Sequence, residues 1–261
     1  MDRACLNQTA VRFGDTAHMH RFLTNSPQPA PLIPFASDHA WPMISSGVAS
    51  ALQETTPAGR PFPFQEAVTK GRTLLVGEGN FSFTEALVRL VPQSSRMMTS
   101  TCWEPWNEIP PVTADRMQRL ARAGLRVAAG VDARSLELQY RLFEFDLISF
   151  LFPNTGTRGG SGNKTDNHQL ASAFLASAKR CLQRTGLVVI TLVDSAHWRG
   201  AFDIEGAAAR TGMQLLGQMP FFPSQFPGYE HSNTIGGPSA LRGYDDFVSL
   251  SLRPGDSFGH W

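Results

Sequence analysis

Apolar and polar positions alternate in blocks from residue 71 onward, and the blocks change period as they go. Short apolar runs predict strands at Thr73–Val76, Met97–Cys102, Arg126–Gly130, Phe145–Leu151, Gly186–Val193, Gln214–Pro220 and Asp246–Ser251. Between them, helical spacing predicts helices at Thr84–Leu90, Thr113–Ala123, Asn167–Gln183 and Ile204–Thr211. Such alternation predicts an α/β, Rossmann-like, doubly wound and mainly parallel sheet. A loop rather than a helix joins the last two strands, which permits an antiparallel C-terminal hairpin. A glycine-rich stretch, Gly159-Gly160-Ser161-Gly162, reads as a flexible loop after the fourth strand.

Residues 1–70 follow no such pattern. Eight prolines between Pro27 and Pro63 interrupt them, with short helical stretches around Asp15–Leu23 and Ile44–Gln53. They also carry Phe13, Phe22, Phe35, Trp41, Phe62 and Phe64, more aromatic surface than a disordered tail holds. The division is therefore 1–70, an irregular N-terminal extension, and 71–261, the main domain. The extension reads either as a lid over the active-site mouth or as a structural arm.

Composition narrows the class. The 261 residues can bury a large core, and 42% hydrophobic with 17% charged residues is ordinary for a soluble globular enzyme. Lys and Arg number 23 against 22 Asp and Glu, for a formal charge of +1. That balance disfavours a long nucleic-acid partner, and the arginines Arg116, Arg119, Arg122 and Arg126 read as a solvated helix face. Cys5, Cys102 and Cys181 are odd in number and far apart, which suggests neither a disulfide framework nor a metal site. No segment approaches the roughly 18 apolar residues of a membrane span. A cytoplasmic location is expected.

The strand–turn–helix unit Thr73-Leu-Leu-Val-Gly-Glu-Gly-Asn-Phe-Ser-Phe83 is the main chemical signal. Gly77 and Gly79 let the backbone approach a ligand, and the following helix offers unpaired N–H groups. The turn lacks a third glycine and the Lys of a P-loop, and Glu78 would repel phosphate. A carboxylate there suits a cationic aminoacyl group, as in S-adenosylmethionine. Glu104, after the second strand, can accept from ribose hydroxyls or be a loop carboxylate. Asp132, after the third, can accept from the adenine amine or cap a helix. Phe152-Pro153-Asn154 ends the fourth strand; Asn154 can orient an acceptor N–H or stabilise a turn. Tyr229 and His231 lie in the rigid loop Phe226-Pro-Gly-Tyr-Glu-His231, where a base or binding group would fit. No metal site stands out.

In one order, Gly77-Glu-Gly-Asn-Phe-Ser-Phe83, Gly130-Val-Asp-Ala133, Phe145 to Asn154, Asn167 and Phe226 to His231 resemble the ribosomal-RNA uridine-N3 methyltransferase-like family. The resemblance covers about residues 71–252 and implies a class I S-adenosylmethionine fold. It places Gly77, Glu78, Gly79 and Asn80 at the aminoacyl side of the cofactor, Asp132 near adenine, and Pro153 with Asn154 near the transferable carbon. Phe81 and Phe152 are further expected cofactor-binding residues. Cys102-Trp103-Glu104 departs from the family's second-strand pattern, and basic lobes are absent. The expected function is thus S-adenosylmethionine-dependent transfer to a small molecule. Open alternatives are N3-methylation of an rRNA uridine, cyclisation of the cofactor's aminoacyl group with release of methylthioadenosine, and a non-catalytic binding module.

Overall fold

The computed structural model describes residues 59–155, 161–232, 239, 241 and 243–255. The helical stretches expected before residue 54, and most of the extension, lie outside the described residues.

Among the described residues, seven strands form one sheet: β1 (Thr73–Val76), β2 (Met98–Thr101), β3 (Arg126–Ala128), β4 (Phe145–Leu151), β5 (Leu182–Val193), β6 (Met213–Pro220) and β7 (Phe247–Pro254). Their order is β3-β2-β1-β4-β5-β7-β6. The first five are mutually parallel, and β7 runs antiparallel between β5 and β6. This is the doubly wound sheet with an antiparallel C-terminal hairpin that the patterning predicts. The strand order reverses between β1 and β4, so the crevice beyond their carboxyl ends is where such sheets bind ligands.

Among the described residues, six helices cover the sheet: α1 (Phe64–Ala67), α2 (Ser82–Leu90), α3 (Pro111–Arg122), α4 (Ser161–Cys181), α5 (Ala196–Phe202) and α6 (Ile204–Thr211). All four residues of β1 are buried, as a central parallel strand requires. Leu74 and Val76 point to the face packed by α4, α5 and α6, and Leu75 to the face packed by α1, α2 and α3.

Three local differences from the sequence reading have clear causes. β5 begins at Leu182, not Gly186, and the helix before it ends at Cys181, not Gln183, because Leu182 pairs with Phe145 across a bulge. Gly186 sits in that bulge, where a Cβ would lie 2.9 Å from the Asp146 carbonyl oxygen. Ser161 and Gly162 are helical, not loop, since α4 starts six residues before Asn167. The unpredicted α5 is short and holds Gly200, yet its start is signalled by Ser195, whose hydroxyl accepts from the Trp198 N–H.

The packed core reaches back to Phe62, ahead of the boundary expected at residue 70. Phe62, Phe64, Ala67 and Val68 are all buried against α2. The Phe64 ring meets Phe62, Phe83, Phe221 and Phe226 edge-on at 4.7–6.0 Å between centroids. Phe64→Ala is expected to lower the unfolding free energy by about 3–5 kcal/mol in denaturant melts. A loss under about 1 kcal/mol would place this segment outside the cooperative unit.

Candidate active site

Every residue expected at the site, apart from Tyr229 and His231, stands at or just beyond the carboxyl end of β1, β2, β3 or β4. The β1 turn is built around an unusual helix start. Phe81 is the N-cap of α2, has a positive φ of 59°, and offers no side-chain cap. Other residues satisfy the first N–H groups. Asn80 Oδ1 accepts from the Ser82 N–H at 2.9 Å, and Glu78 Oε2 accepts from the Thr84 N–H at 3.2 Å. The Thr84 hydroxyl also donates to Glu78, at 3.1 Å, and lies 2.8 Å from the Ser100 hydroxyl of β2.

The expected roles of Glu78 and Asn80 therefore shift. Glu78 is buried, with its carboxylate turned to the helix start, and Asn80 directs both its oxygen and its amide into protein contacts. Gly77, Gly79 and Asn80 remain half-exposed, so much of the accessible surface of the turn is backbone. The two glycines also differ. Gly77 has φ +70°, and a Cβ there would lie 2.5 Å from the Phe150 ring. Gly79 has no positive φ, and a Cβ would sit in ordinary contact with Ser232 at 3.4 Å.

Two elements remote in sequence hold the turn. Asn80 Nδ2 and the Ser82 hydroxyl both donate to the Glu230 carbonyl, at 2.9 and 2.8 Å, and the Glu230 N–H donates to the Ser82 oxygen. From α3, Arg116 donates to the Asn80 carbonyl at 2.6 Å and to Glu85 at 3.0 Å. The arginine row is thus not wholly a solvated face. Burial works to raise the Glu85 carboxyl, but Arg119, Arg89 and Arg116 outweigh it and hold it below its ordinary value.

At the end of β2, Glu104 is half-buried, which pushes its carboxyl up, and its carbonyl accepts from the Gly130 N–H at 2.9 Å. Asp132 caps the 3-10 turn Ala133–Leu138, the structural role anticipated as an alternative. Arg134 also grips it, Nε donating at 3.0 and 3.1 Å and Nη2 at 2.8 Å. Burial works to raise Asp132, but these bonds and the Arg134 charge hold it below the usual carboxylate range. Beside the pair, the exposed Trp103 ring lies under the Arg134 guanidinium, 5.8 Å from centroid to Cζ. Neither Trp103 nor Arg134 was identifiable from spacing, since only the fold brings the ends of β2 and β3 together.

Beyond β4, Phe152 has φ 49°, a strained conformation for a non-glycine residue ahead of a proline. Its N–H donates to the Thr191 carbonyl, and its ring meets His231, Phe247 and Phe221 edge-on at 5.4–5.9 Å. Pro153 is buried and Asn154 exposed. Tyr229 packs on Phe83 and Phe221 in the same aromatic cluster; burial, with the Glu78 charge, keeps its phenol protonated. His231 Nδ1 lies 2.8 Å from the Ser239 hydroxyl, and burial lowers its pKa to about 4. At neutral pH the ring is neutral, and a pKa this far below 7 makes it a weak proton acceptor.

Next to Phe247, a cavity of about 220 Å³ opens between the ends of β5, β6 and β7, lined by Asp194, Asp245, Asp246 and Phe222 among others. Among the described residues there is no group of three metal-ligating side chains, and no helix is long and apolar enough to cross a membrane.

Residues 74–233 match the family model described as BMT5-like, rRNA (uridine-N3-)-methyltransferase BTM5-like. The chain belongs to this family. Among curated relatives, the human ferredoxin-fold anticodon-binding domain-containing protein 1 is 32% identical over 173 residues, covering 61% of this chain and 27% of that protein. The heavy metal-associated isoprenylated plant protein 41 of Arabidopsis thaliana is 28% identical over 173 residues, 62% of this chain and 33% of that protein. The chain thus spans about a quarter to a third of these relatives. A solved glycopeptide N-methyltransferase, MtfA, is similar in fold, with TM-score 0.47, 13% identity, and coverage of 81% of this chain and 88% of that one.

Substituting the two turn glycines separates their duties. Gly77→Ala should destabilise the protein by about 2–4 kcal/mol through left-handed strain and overpacking, seen in thermal melts. Gly79→Ala should leave the melt unchanged and weaken S-adenosylhomocysteine binding by calorimetry; equal effects of the two would refute their division of labour.

The pH dependence of stability carries two opposing contributions. The Glu78 carboxyl is raised by burial from 4.5 to about 7, so its contribution is complete below pH 4.5 and lost as pH rises through 7. His231 is lowered from 6.5 to about 4, so its contribution is complete above pH 6.5 and lost as pH falls through 4. Glu78→Gln should remove a loss of about 3 kcal/mol across the upper window, so that stability rises with pH. His231→Asn should do the reverse. Denaturant titrations from pH 4 to 7.5 giving parallel curves for both variants would contradict these assignments.

Proposed function

We propose that the protein transfers a methyl group from S-adenosylmethionine to a small molecule at the carboxyl edge of the sheet. In this reading the backbone of Gly77, Gly79, Asn80 and Phe81 holds the aminoacyl end, Glu104 the ribose and Asp132 the adenine. The residues fit such a ligand: two carboxylates stand at the ends of β2 and β3, and the turn exposes backbone rather than charge. When bound, the cofactor supplies an electrophilic methyl group on a sulfonium. The protein's part is alignment and exclusion of water. Phe152, Pro153 and Asn154 would position the acceptor, with neutral His231 orienting it and Tyr229 closing the aromatic wall.

The observation that carries the small-molecule reading is the acidic cavity abutting Phe152 through Phe247. A phosphodiester backbone crossing this edge would meet Asp245 and Asp246, and charge repulsion there opposes RNA, while Asp194 is paired with Arg199. Membership of the family favours the second reading, N3-methylation of an rRNA uridine.

Methyl-labelled S-adenosylmethionine incubated with the protein should label a low-molecular-mass product from a metabolite extract. Label entering ribosomal RNA instead would establish the second reading. Methylthioadenosine formed without any acceptor would indicate cofactor cyclisation, and binding without turnover in every mixture would indicate a non-catalytic module.

A further inference from the structure

The contacts of Arg134 bear on how the cofactor is selected, given the proposed placement of adenine beside Asp132. Two groups stand where the base would lie, the Asp132 carboxylate and the exposed Trp103 ring. Arg134 engages both. Asp132 Oδ1 accepts from the Arg134 N–H and Nε at 2.9 and 3.0 Å, and Oδ2 accepts from Nε and Nη2 at 3.1 and 2.8 Å. Each oxygen already carries two bonds, as many as a carboxylate oxygen ordinarily accepts. The guanidinium lies over the Trp103 ring as well. An incoming base therefore meets a site whose acceptor and aromatic face are both engaged.

We propose that Arg134 is a resident competitor at the adenine end of the cofactor site, and that adenine is selected because it replaces both contacts that Arg134 gives up. The exocyclic amine supplies Asp132 with an N–H donor in place of the guanidinium, and the purine ring offers Trp103 a π-face in place of the cation. A base with a carbonyl at that position turns an acceptor towards Asp132, and does not compensate. Displacement is feasible because both contacts are exposed: the Arg134 and Asp132 side chains are 55% and 28% accessible, and Trp103 is 52% accessible. Exposed ion pairs and cation–π contacts are individually weak and screened by salt. The backbone bond from the Arg134 N–H to Asp132 survives the swing of the side chain and keeps the carboxylate aimed.

The test is calorimetric titration of wild type and Arg134→Ala with S-adenosylhomocysteine and with its deaminated analogue, in which a carbonyl replaces the adenine amine. Arg134→Ala should bind S-adenosylhomocysteine about fivefold more tightly, from the removal of weak surface contacts. It should also bind the deaminated analogue more tightly, by a similar factor, because the same contacts no longer have to be broken, while wild type binds that analogue more weakly than S-adenosylhomocysteine. Raising salt should improve wild-type binding relative to the variant, because only the wild type has the ion pair to screen. A merely structural role for Arg134 would not move that salt dependence. Unchanged or weaker S-adenosylhomocysteine binding by a folded Arg134→Ala protein would overturn the proposal while leaving the cofactor placement intact. Failure of the wild type to bind S-adenosylhomocysteine would overturn both.

Discussion

The first N–H groups of a helix have no partners within it and must be satisfied by other residues. In this protein that constraint organises the turn after β1. Phe81 at the N-cap contributes no side-chain bond, so Asn80 and Glu78 reach forward to the Ser82 and Thr84 N–H groups. A carboxylate at a helix N-terminus also meets the positive end of the helix dipole. That interaction offsets part of the cost of burying Glu78, whose carboxyl nonetheless rises to about 7. The polar side chains are thereby drawn inward, and the outward surface of the turn is backbone.

The same economy runs along the carboxyl edge. Acidic residues follow β2, β3 and β5, each with a different neighbour: half-burial for Glu104, Arg134 for Asp132 and Arg199 for Asp194. Aromatic rings follow β4, where Phe152, His231, Phe221 and Phe247 enclose the strained exit. One side of the edge is tuned by charge, and the other by apolar enclosure.

The architecture was legible because buried parallel strands read as apolar runs, and because Gly77 and Gly79 mark the turn whatever their separate duties. Those duties were not legible. The positive φ of Gly77 with the Phe150 ring beneath it, and the open contact with Ser232 near Gly79, tell the two apart. Asp132 carried both its readings in the sequence, and its cap emerges alongside a partner, Arg134, two residues away. Arg116 and Trp103 were opaque for a different reason. Their partners lie on other elements, and no local period encodes a contact between the α3 face and the β1 turn. The start of β5 was hidden by polar side chains, since strand pairing is a property of backbone that side-chain polarity does not report.

The bridge from Glu230 to Asn80 and Ser82 joins residues 150 and 148 positions apart. Contacts of such separation form late, because the chain must close a long loop before they gain anything. The bridging segment lies between β6 and β7, and β7 must insert between β5 and β6 to complete the sheet. During synthesis, the first strand–turn–helix unit leaves the ribosome long before the segment that finishes it. The finished turn is therefore a property of the whole domain. A nascent chain lacking its last strands carries the glycine motif without the contacts that hold it.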